Sequence, residues 1–418
     1  MPITREFMHG ILGISEAWEL PNALMSAMLD DTRRDALLAL VADATEDMAH
    51  DGLTDYFQNE HGDRDSLKQD FTPQAVCDLV AGMAGSAGRY IDVCAGTGGL
   101  TISLWASNKS AHFRCEEFSA RTIPALLMNA AMRNMSAEIV RRDVLTGETF
   151  ESYVLTPTDV FSRVERVDSL PDGTWDICVQ NPPYSLKWDG INRAWMRHGT
   201  APKSKADYAF VEYGLSRAPH VVSILPHGVL FRGAAEGRIR ESMLRRHVVR
   251  SVVGLPEKLF AHTGIPVAVL DLMDDDGCDG SDGSVCVVNA DELYEHGSKQ
   301  NVMSPNHVRD VLSCLSMRLD VDRLCHIADA SEIERNGFNL NIPRYVDRYV
   351  EPDIPDVASI LADLTGIERE LRKTERGLQS QIRRLVGTTE ETRDEVRMLQ
   401  ERMSDYVEAK GGQLAWRL

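Results

Sequence analysis

The stretch Arg89-Tyr90-Ile91-Asp92-Val93-Cys94-Ala95-Gly96-Thr97-Gly98-Gly99-Leu100 decides the fold. A short strand, Arg89 to Ile91, leads into a turn whose glycines at 96, 98 and 99 let the backbone pass close to a ligand before a helix begins near Leu100. Alone, a glycine-rich strand-to-helix turn is a weak signal, shared by dinucleotide enzymes and many structural turns. The next strand, His112 to Cys115, ends in Glu116-Glu117, where a carboxylate can accept both hydroxyls of a ribose. A third strand, Ala137 to Arg142, ends in Asp143, placed to receive an adenine amino group. Glycine turn, ribose acid and adenine acid at three successive strand ends describe a nucleoside cofactor lying across one edge of a parallel sheet.

Farther along, the mostly apolar run Trp175 to Val179 leads to Asn181-Pro182-Pro183-Tyr184. Proline fixes φ and donates no hydrogen bond, so two in succession give a rigid exit whose carbonyls point outward unpaired. The Asn181 side-chain oxygen and the Pro182 carbonyl then accept both hydrogens of a planar amino group, and Tyr184 offers a ring face to whatever carries it. In isolation an ordinary Pro-Pro turn explains the motif equally well. NAD would fit the glycine turn and the ribose acid, but NAD enzymes have no need of this exit. S-adenosylmethionine satisfies all four features. The candidate cofactor residues are therefore Asp92, Gly96, Thr97, Gly98, Gly99, Glu117, Asp143 and Asn181, and the candidate catalytic residues are Asn181, Pro182, Pro183 and Tyr184.

With these motifs in this order, the chain resembles the amino-group DNA methyltransferases, in which the NPPY-type sequence is the catalytic motif. Phe71-Thr72-Pro73, ahead of the glycine turn, resembles the subclass whose cofactor half comes first. Leu225-Pro226-His227-Gly228-Val229-Leu230-Phe231-Arg232-Gly233, Gly254-Leu255-Pro256-Glu257-Lys258-Leu259-Phe260, Thr263-Gly264-Ile265-Pro266, Gln300-Asn301 and Asn339-Leu340-Asn341-Ile342-Pro343-Arg344-Tyr345 look like the modification subunit of type I restriction-modification systems. The resemblance spans residues 66 to 350. It departs at Val93, where the family often has proline, at Cys94, and in a shorter amino-terminal segment. The resemblance implies that Phe71, Thr72 and Pro73 flank the methionine end of S-adenosylmethionine. It also implies that an adenine flipped out of double-stranded DNA lies against Tyr184, with Phe260 over its other face. Its carboxyl-terminal helices would bundle with a specificity subunit. A restriction subunit and a second copy of the chain are further candidate partners.

Composition sets the bounds. Hydrophobic content of 43% with 26% charged residues is that of a water-soluble globular chain with a large core. Arg5, Glu6, Glu16 and Glu19 interrupt any leader-like run, and no apolar stretch approaches membrane-spanning length, which points to the cytoplasm and to no membrane. Eight scattered cysteines without a CxxC pair read as reduced, buried residues. A net charge of −19 argues against indiscriminate binding to nucleic acid. Residues 181–250, however, hold twelve Lys and Arg against five acids, a local excess of +7 that suggests a phosphate-facing surface at the catalytic strand. Asp274 to Gly283 is rich in Asp and Gly, but the twelfth position of a calcium loop from Asp274 is Val285, not Glu; an acidic turn is expected, and no metal.

The expected fold is α/β: a doubly wound, mostly parallel, Rossmann-like methyltransferase sheet with a small amino-terminal helical segment and a carboxyl-terminal helical hairpin. The divisions are 1–66 (helical lead-in, with a cap at Asp31-Thr32), 67–290 (methyltransferase domain), 291–352 (mixed connection) and 353–418 (hairpin). Helices are expected over 119–135, 205–217 and 236–247, and strands over 221–225, 248–253 and 267–272. Leu364, Leu371, Leu378 and Leu385 recur every seven residues until Gly387-Thr388-Thr389 breaks the run. Other readings of the same chemistry are a methyltransferase for RNA or for a protein glutamine, and a non-catalytic DNA-binding defence subunit.

Overall fold

The computed structural model describes residues 3–54, 56–57, 72–260, 264–274, 282–297, 300–348 and 356–411. Phe71, expected beside the cofactor, and most of the acidic turn after Asp274 lie outside the described residues. Two compact units appear, Met1–Arg348 and Tyr349–Leu418.

The first unit is built on one eleven-stranded sheet. Its centre is β1 (Arg89–Val93), with β2 (His112–Glu117) and β3 (Ser136–Arg142) on one side and β6 (Ile177–Gln180) and β7 (His220–Pro226) on the other, all parallel. Every residue of β6 is buried, and so are the last four of β1, because helices cover both faces. Glycine, acid and Asn-Pro-Pro turns therefore all emerge at the carboxyl edge of neighbouring strands. Beyond β7 comes β9 (Val267–Met273), antiparallel, then β8 (Val249–Gly254) and β10 (Val285–Asn289). The sheet ends in β13 (Cys325–Ala328) on this side and in the hairpin β4 (Thr149–Thr156) and β5 (Arg163–Val167) on the other, while β11 (Glu295–His296) and β12 (Asn301–Val302) form a separate antiparallel pair. Eight of the eleven strands run one way; β4, β9 and β13 oppose them.

The expected strands are present with ends that differ by up to two residues: the run expected from Trp175 to Val179 is a strand only from Ile177 to Gln180, and that over 248–253 lies one residue later. The helix expected over 119–135 runs only from Ile123 to Met132. Pro124 suits its first turn, whose N–H groups have no helical partner, and Asn134 leaves it at φ 54 in the left-handed region. The β4–β5 hairpin and strands β10 and β13 were not expected. β10 pairs onto β8 and β13 onto β10, so the sheet runs through the boundary placed at residue 290.

Nor is there a break in packing between the lead-in and the sheet. All ten residues of helix 123–132 are buried, although a helix on one face of a sheet ordinarily keeps a wet side. The helices Leu20–Met28 and Asp31–Ala44 cover that side, contributing the fully buried Leu24, Met28, Leu38 and Val41 to the same core. Asp30, not Asp31 or Thr32, caps the second of these, accepting from the Arg33 N–H at 3.0 Å.

In the second unit, helices Val357–Ile382 and Glu390–Gly411 form an antiparallel hairpin. Gln400 donates to the carbonyls of Ile382 and Leu385, and the Tyr406 hydroxyl to Glu375. Leu364, Leu371, Leu378 and Leu385 remain 45–50% exposed.

Candidate active site

A cavity of about 370 Å³ opens at the carboxyl edge of β1, β2, β3 and β6. Its floor is the glycine turn, where Cys94, Gly96 and Gly98 adopt positive φ of 64°, 59° and 96°. A Cβ on Gly98 would lie 2.8 Å from Cδ1 of the buried Leu126 in addition to the strained φ. Gly98→Ala is therefore expected to cost about 1–3 kcal/mol and to weaken cofactor binding with it, checked by denaturant unfolding and calorimetry. Gly96 and Gly99 line the cavity, as does Thr97.

Asp92 is not in the wall. It sits beneath the turn, 2% exposed, where its Oδ2 accepts from the Thr101 hydroxyl at 2.7 Å. Burial, only partly offset by Thr101, lifts its carboxyl to about 7. Its bond ties the end of β1 to the helix Gly99–Ser107, beneath the cavity rather than in its wall.

The two glutamates at the end of β2 have different surroundings. Glu117 accepts from the Gly96 N–H at 2.8 Å and the Ser119 N–H at 2.7 Å, which fixes the carboxylate against the turn at the cavity wall. Burial raises its carboxyl above the ordinary range against the pull of these N–H donors. Glu116 touches the cavity too, but it is fully buried among arginines. Arg142 lies 3.2 Å from it and Arg114 3.5 Å, and the Tyr213 hydroxyl donates to it at 2.6 Å. Asp143 closes an Asx turn by accepting from the Leu145 and Thr146 N–H groups, and also lines the cavity.

Asn181, Pro182, Pro183 and Tyr184 all line the opposite wall. The Asn181 amide donates through Nδ2 to the Thr72 hydroxyl at 2.9 Å, turning Oδ1 the other way, where it accepts from the Tyr184 hydroxyl, also at 2.9 Å. After Tyr184 the chain bends through Ser185 at φ 52, pinned by its N–H donating to Asp207 at 2.7 Å. Phe260 is buried and touches the Tyr184 ring edge-on, centroids 6.2 Å apart. It lies outside the cavity wall, as does Pro73, which caps helix Gln74–Ala84.

Several wall residues escaped the sequence reading. Phe118 is 46% exposed and projects beside Glu117; a large apolar side chain directly after the ribose acid was the available signal. Leu145 and Trp188 add apolar surface, and Thr54 reaches the cavity from the amino-terminal segment, which no local pattern announces.

The basic region is less free than its charge count suggests. Seven of its twelve cations are engaged internally. Arg193 pairs with Asp189, Arg197 and Arg246 with Asp274, Arg217 with Asp172, Arg232 with Asp207 and Arg245 with Glu241, while Arg240 donates to carbonyls. Lys187 lines the cavity. Among the described residues no His, Cys, Asp and Glu group could hold a metal ion, and no helix is long and apolar enough to cross a membrane.

Comparison with known proteins places this geometry. The family described as N-6 DNA Methylase matches residues 48–353. The methylase subunit of the type I restriction enzyme MpnII of Mycoplasma pneumoniae is 24% identical over 72% of this chain and 58% of that protein. That of MjaVIII of Methanocaldococcus jannaschii is 25% identical over 72% of this chain and 53% of that protein. The chain thus spans about half the length of the curated relatives it matches. Among solved structures, the type I restriction-modification methyltransferase subunit from Streptococcus thermophilus is similar with a TM-score of 0.60 and 29% identity, covering 72% of this chain and 64% of that one. A modification subunit of a putative type I restriction enzyme from Vibrio vulnificus, 17% identical, shares the fold at a TM-score of 0.52, covering 75% and 66% of the two chains.

Proposed function

This chain belongs to the N-6 DNA methylase family, and from that premise we propose that it methylates the N6 amino group of an adenine flipped out of double-stranded DNA, as the modification subunit of a type I-like restriction-modification complex. The observation that carries the reading is the meeting of Asn181-Pro182-Pro183-Tyr184 with the glycine turn, Glu117 and Asp143 around one cavity.

S-adenosylmethionine, when bound, supplies an electrophilic methyl on a sulfonium. The chain's own groups fit that molecule: Glu117 at the turn suits the ribose hydroxyls, Asp143 the adenine amino group, and Phe118 an aromatic face. Asn181 and Pro182 orient the target. Thr72 holds the Asn181 amide so that Oδ1 faces the incoming amino group, which would take over the place of the Tyr184 hydroxyl. Tyr184 and Phe260 touch edge-on, so Tyr184 turns before a base stacks on it. As nitrogen attacks, positive charge grows on it, and the two oxygens stabilise that charge. No strong base is required, since the proton leaves a cationic nitrogen.

Target specificity, on this reading, comes from a specificity subunit docked on the carboxyl-terminal hairpin, whose half-exposed leucine seam supports that role. A restriction subunit and a second copy of the chain would complete the complex. We further propose the cytoplasm as its location and 353–418 as its association segment.

Transfer of tritiated methyl from S-adenosylmethionine to duplex DNA, RNA and protein tests the reading. Label on DNA adenine is expected; label on RNA or protein alone would overturn it. Glu117→Gln is expected to weaken cofactor binding about tenfold, from loss of a charge-assisted pair to the ribose. An unchanged dissociation constant by calorimetry would move the ribose contact elsewhere.

A further inference from the structure

Residues 48–54 take no part in the chemistry above, yet they grip the middle of the glycine turn. Asp51 Oδ2 accepts from the Thr97 hydroxyl at 2.5 Å, and its Oδ1 accepts from the Asn129 side chain at 3.0 Å. The same Asn129 amide donates to the Thr97 carbonyl at 2.8 Å, so Thr97 is held by side chain and backbone together. Arg133, one turn along the helix and 3% exposed, donates to the carbonyls of Met48 at 2.7 Å and His50 at 2.6 Å. The Leu53 N–H donates to Asp51, and Thr54, the next residue, lines the cavity.

Thr97 stands between two glycines at positive φ, the residues with the widest backbone freedom. The Gly96 N–H donates to Glu117 and the Gly98 N–H to the Ala95 carbonyl, and Thr97 between them has an anchor of its own. Here that anchor comes from a segment distant in sequence. Thr97 and Asn129 are each 1% exposed, so the carboxylate reaches them in a setting shielded from water, where its hydrogen bonds are strong.

We propose that Asp51 is a positioning residue for the cofactor cavity, and that through Thr97 it couples docking of the amino-terminal segment to binding of S-adenosylmethionine. The inference rests on the functional reading above and deepens it: the segment acts as a wall that preorganises the turn. Binding the cofactor then tightens residues 48–54, and loosening that segment weakens the cofactor.

The test titrates S-adenosylmethionine, and separately S-adenosylhomocysteine, into the full chain by calorimetry. Asp51→Ala removes the acceptor shared by Thr97 and Asn129 and is expected to raise the dissociation constant about tenfold or more. Asp51→Asn keeps an oxygen for Asn129 and Leu53 and puts its NH2 where the Thr97 hydroxyl can accept, and is expected to recover most of that loss. Combining Asp51→Ala with Thr97→Val should cost little beyond either alone, because both act through one contact. In turnover the loss falls on KM for the cofactor more than on kcat, and hydrogen exchange at 48–54 slows when the cofactor binds the wild-type chain. An Asp51→Ala chain that is folded by circular dichroism and binds the cofactor as the wild type does overturns the inference while leaving the functional reading standing. A wild-type chain that binds neither compound overturns both.

Discussion

Asn181→Ala is expected to slow methyl transfer about a hundred- to a thousandfold, the loss typical of removing one preorganised group aimed at developing charge. Its oxygen is set by a bond on the far side of the amide: Nδ2 to Thr72 leaves Oδ1 facing Tyr184. Alanine deletes both ends of that relay. Pro182 still offers a carbonyl, so DNA binding survives and the defect lies in chemistry. The amide sits across the cavity from Glu117 and Asp143, and cofactor affinity should change little. Single-turnover transfer of labelled methyl, with calorimetry on the same protein, separates the two effects. Transfer by Asn181→Ala at a rate near wild type would remove the residue from the mechanism. Thr72→Val probes the same relay more gently, since it frees the amide to rotate without deleting the acceptor.

Glu116→Ala is expected to cost about 3–5 kcal/mol of folding stability, the usual result of stripping one partner from buried opposite charges. Glu116 is 0% exposed, and Arg114, Arg142 and Arg217 approach it at 3.5, 3.2 and 3.9 Å. Asp172 and Glu138 share these cations, but Asp172 is 58% exposed and Glu138 22%, so neither replaces a carboxylate at the centre. The pair lowers the energy of the charged arginine enough to lift Arg142 above its ordinary range despite burial. Glu116→Gln keeps one acceptor oxygen for Arg142 while its NH2 faces the Tyr213 hydroxyl, which can accept, and should lose less. Denaturant unfolding with unchanged m-values is the measurement. A loss below about 1 kcal/mol would mean that water already screens these arginines as it does surface pairs.

What could be read from the chain beforehand is what local chemistry encodes. Apolar runs mark strands and glycines mark the turn, so the centre of the sheet was visible, while the helix that Pro124 and Asn134 bound was placed too wide. The strand Val285 to Asn289 is as apolar as any in the centre, but beside a stretch read as an acidic turn it had no helix to pair with and was missed. Thr149 to Thr156 carries β-branched and aromatic residues, yet it returns antiparallel at the sheet edge, where alternation of strand and helix gives no guide. Glu116 and Glu117 could not be told apart from sequence, because what separates them is three arginines drawn from β2, β3 and a later helix. Asp51 lay beyond reach for the same reason: its partners Thr97 and Asn129 are 46 and 78 residues away.

The register of the central strand has a kinetic corollary. Val93 faces Glu116 on one side and Gln180 on the other, so the strand end beside the glycine turn meets the one beside Asn181 only after everything between residues 94 and 176 has been gathered up. Closing so long a loop is slow, and its entropy is lost before any distant contact repays it. During synthesis or refolding, the pocket forms only once β6 has joined β1, and a chain without that pairing could hold neither ligand. Catalytic competence then doubles as a reporter that the central strands have zipped together.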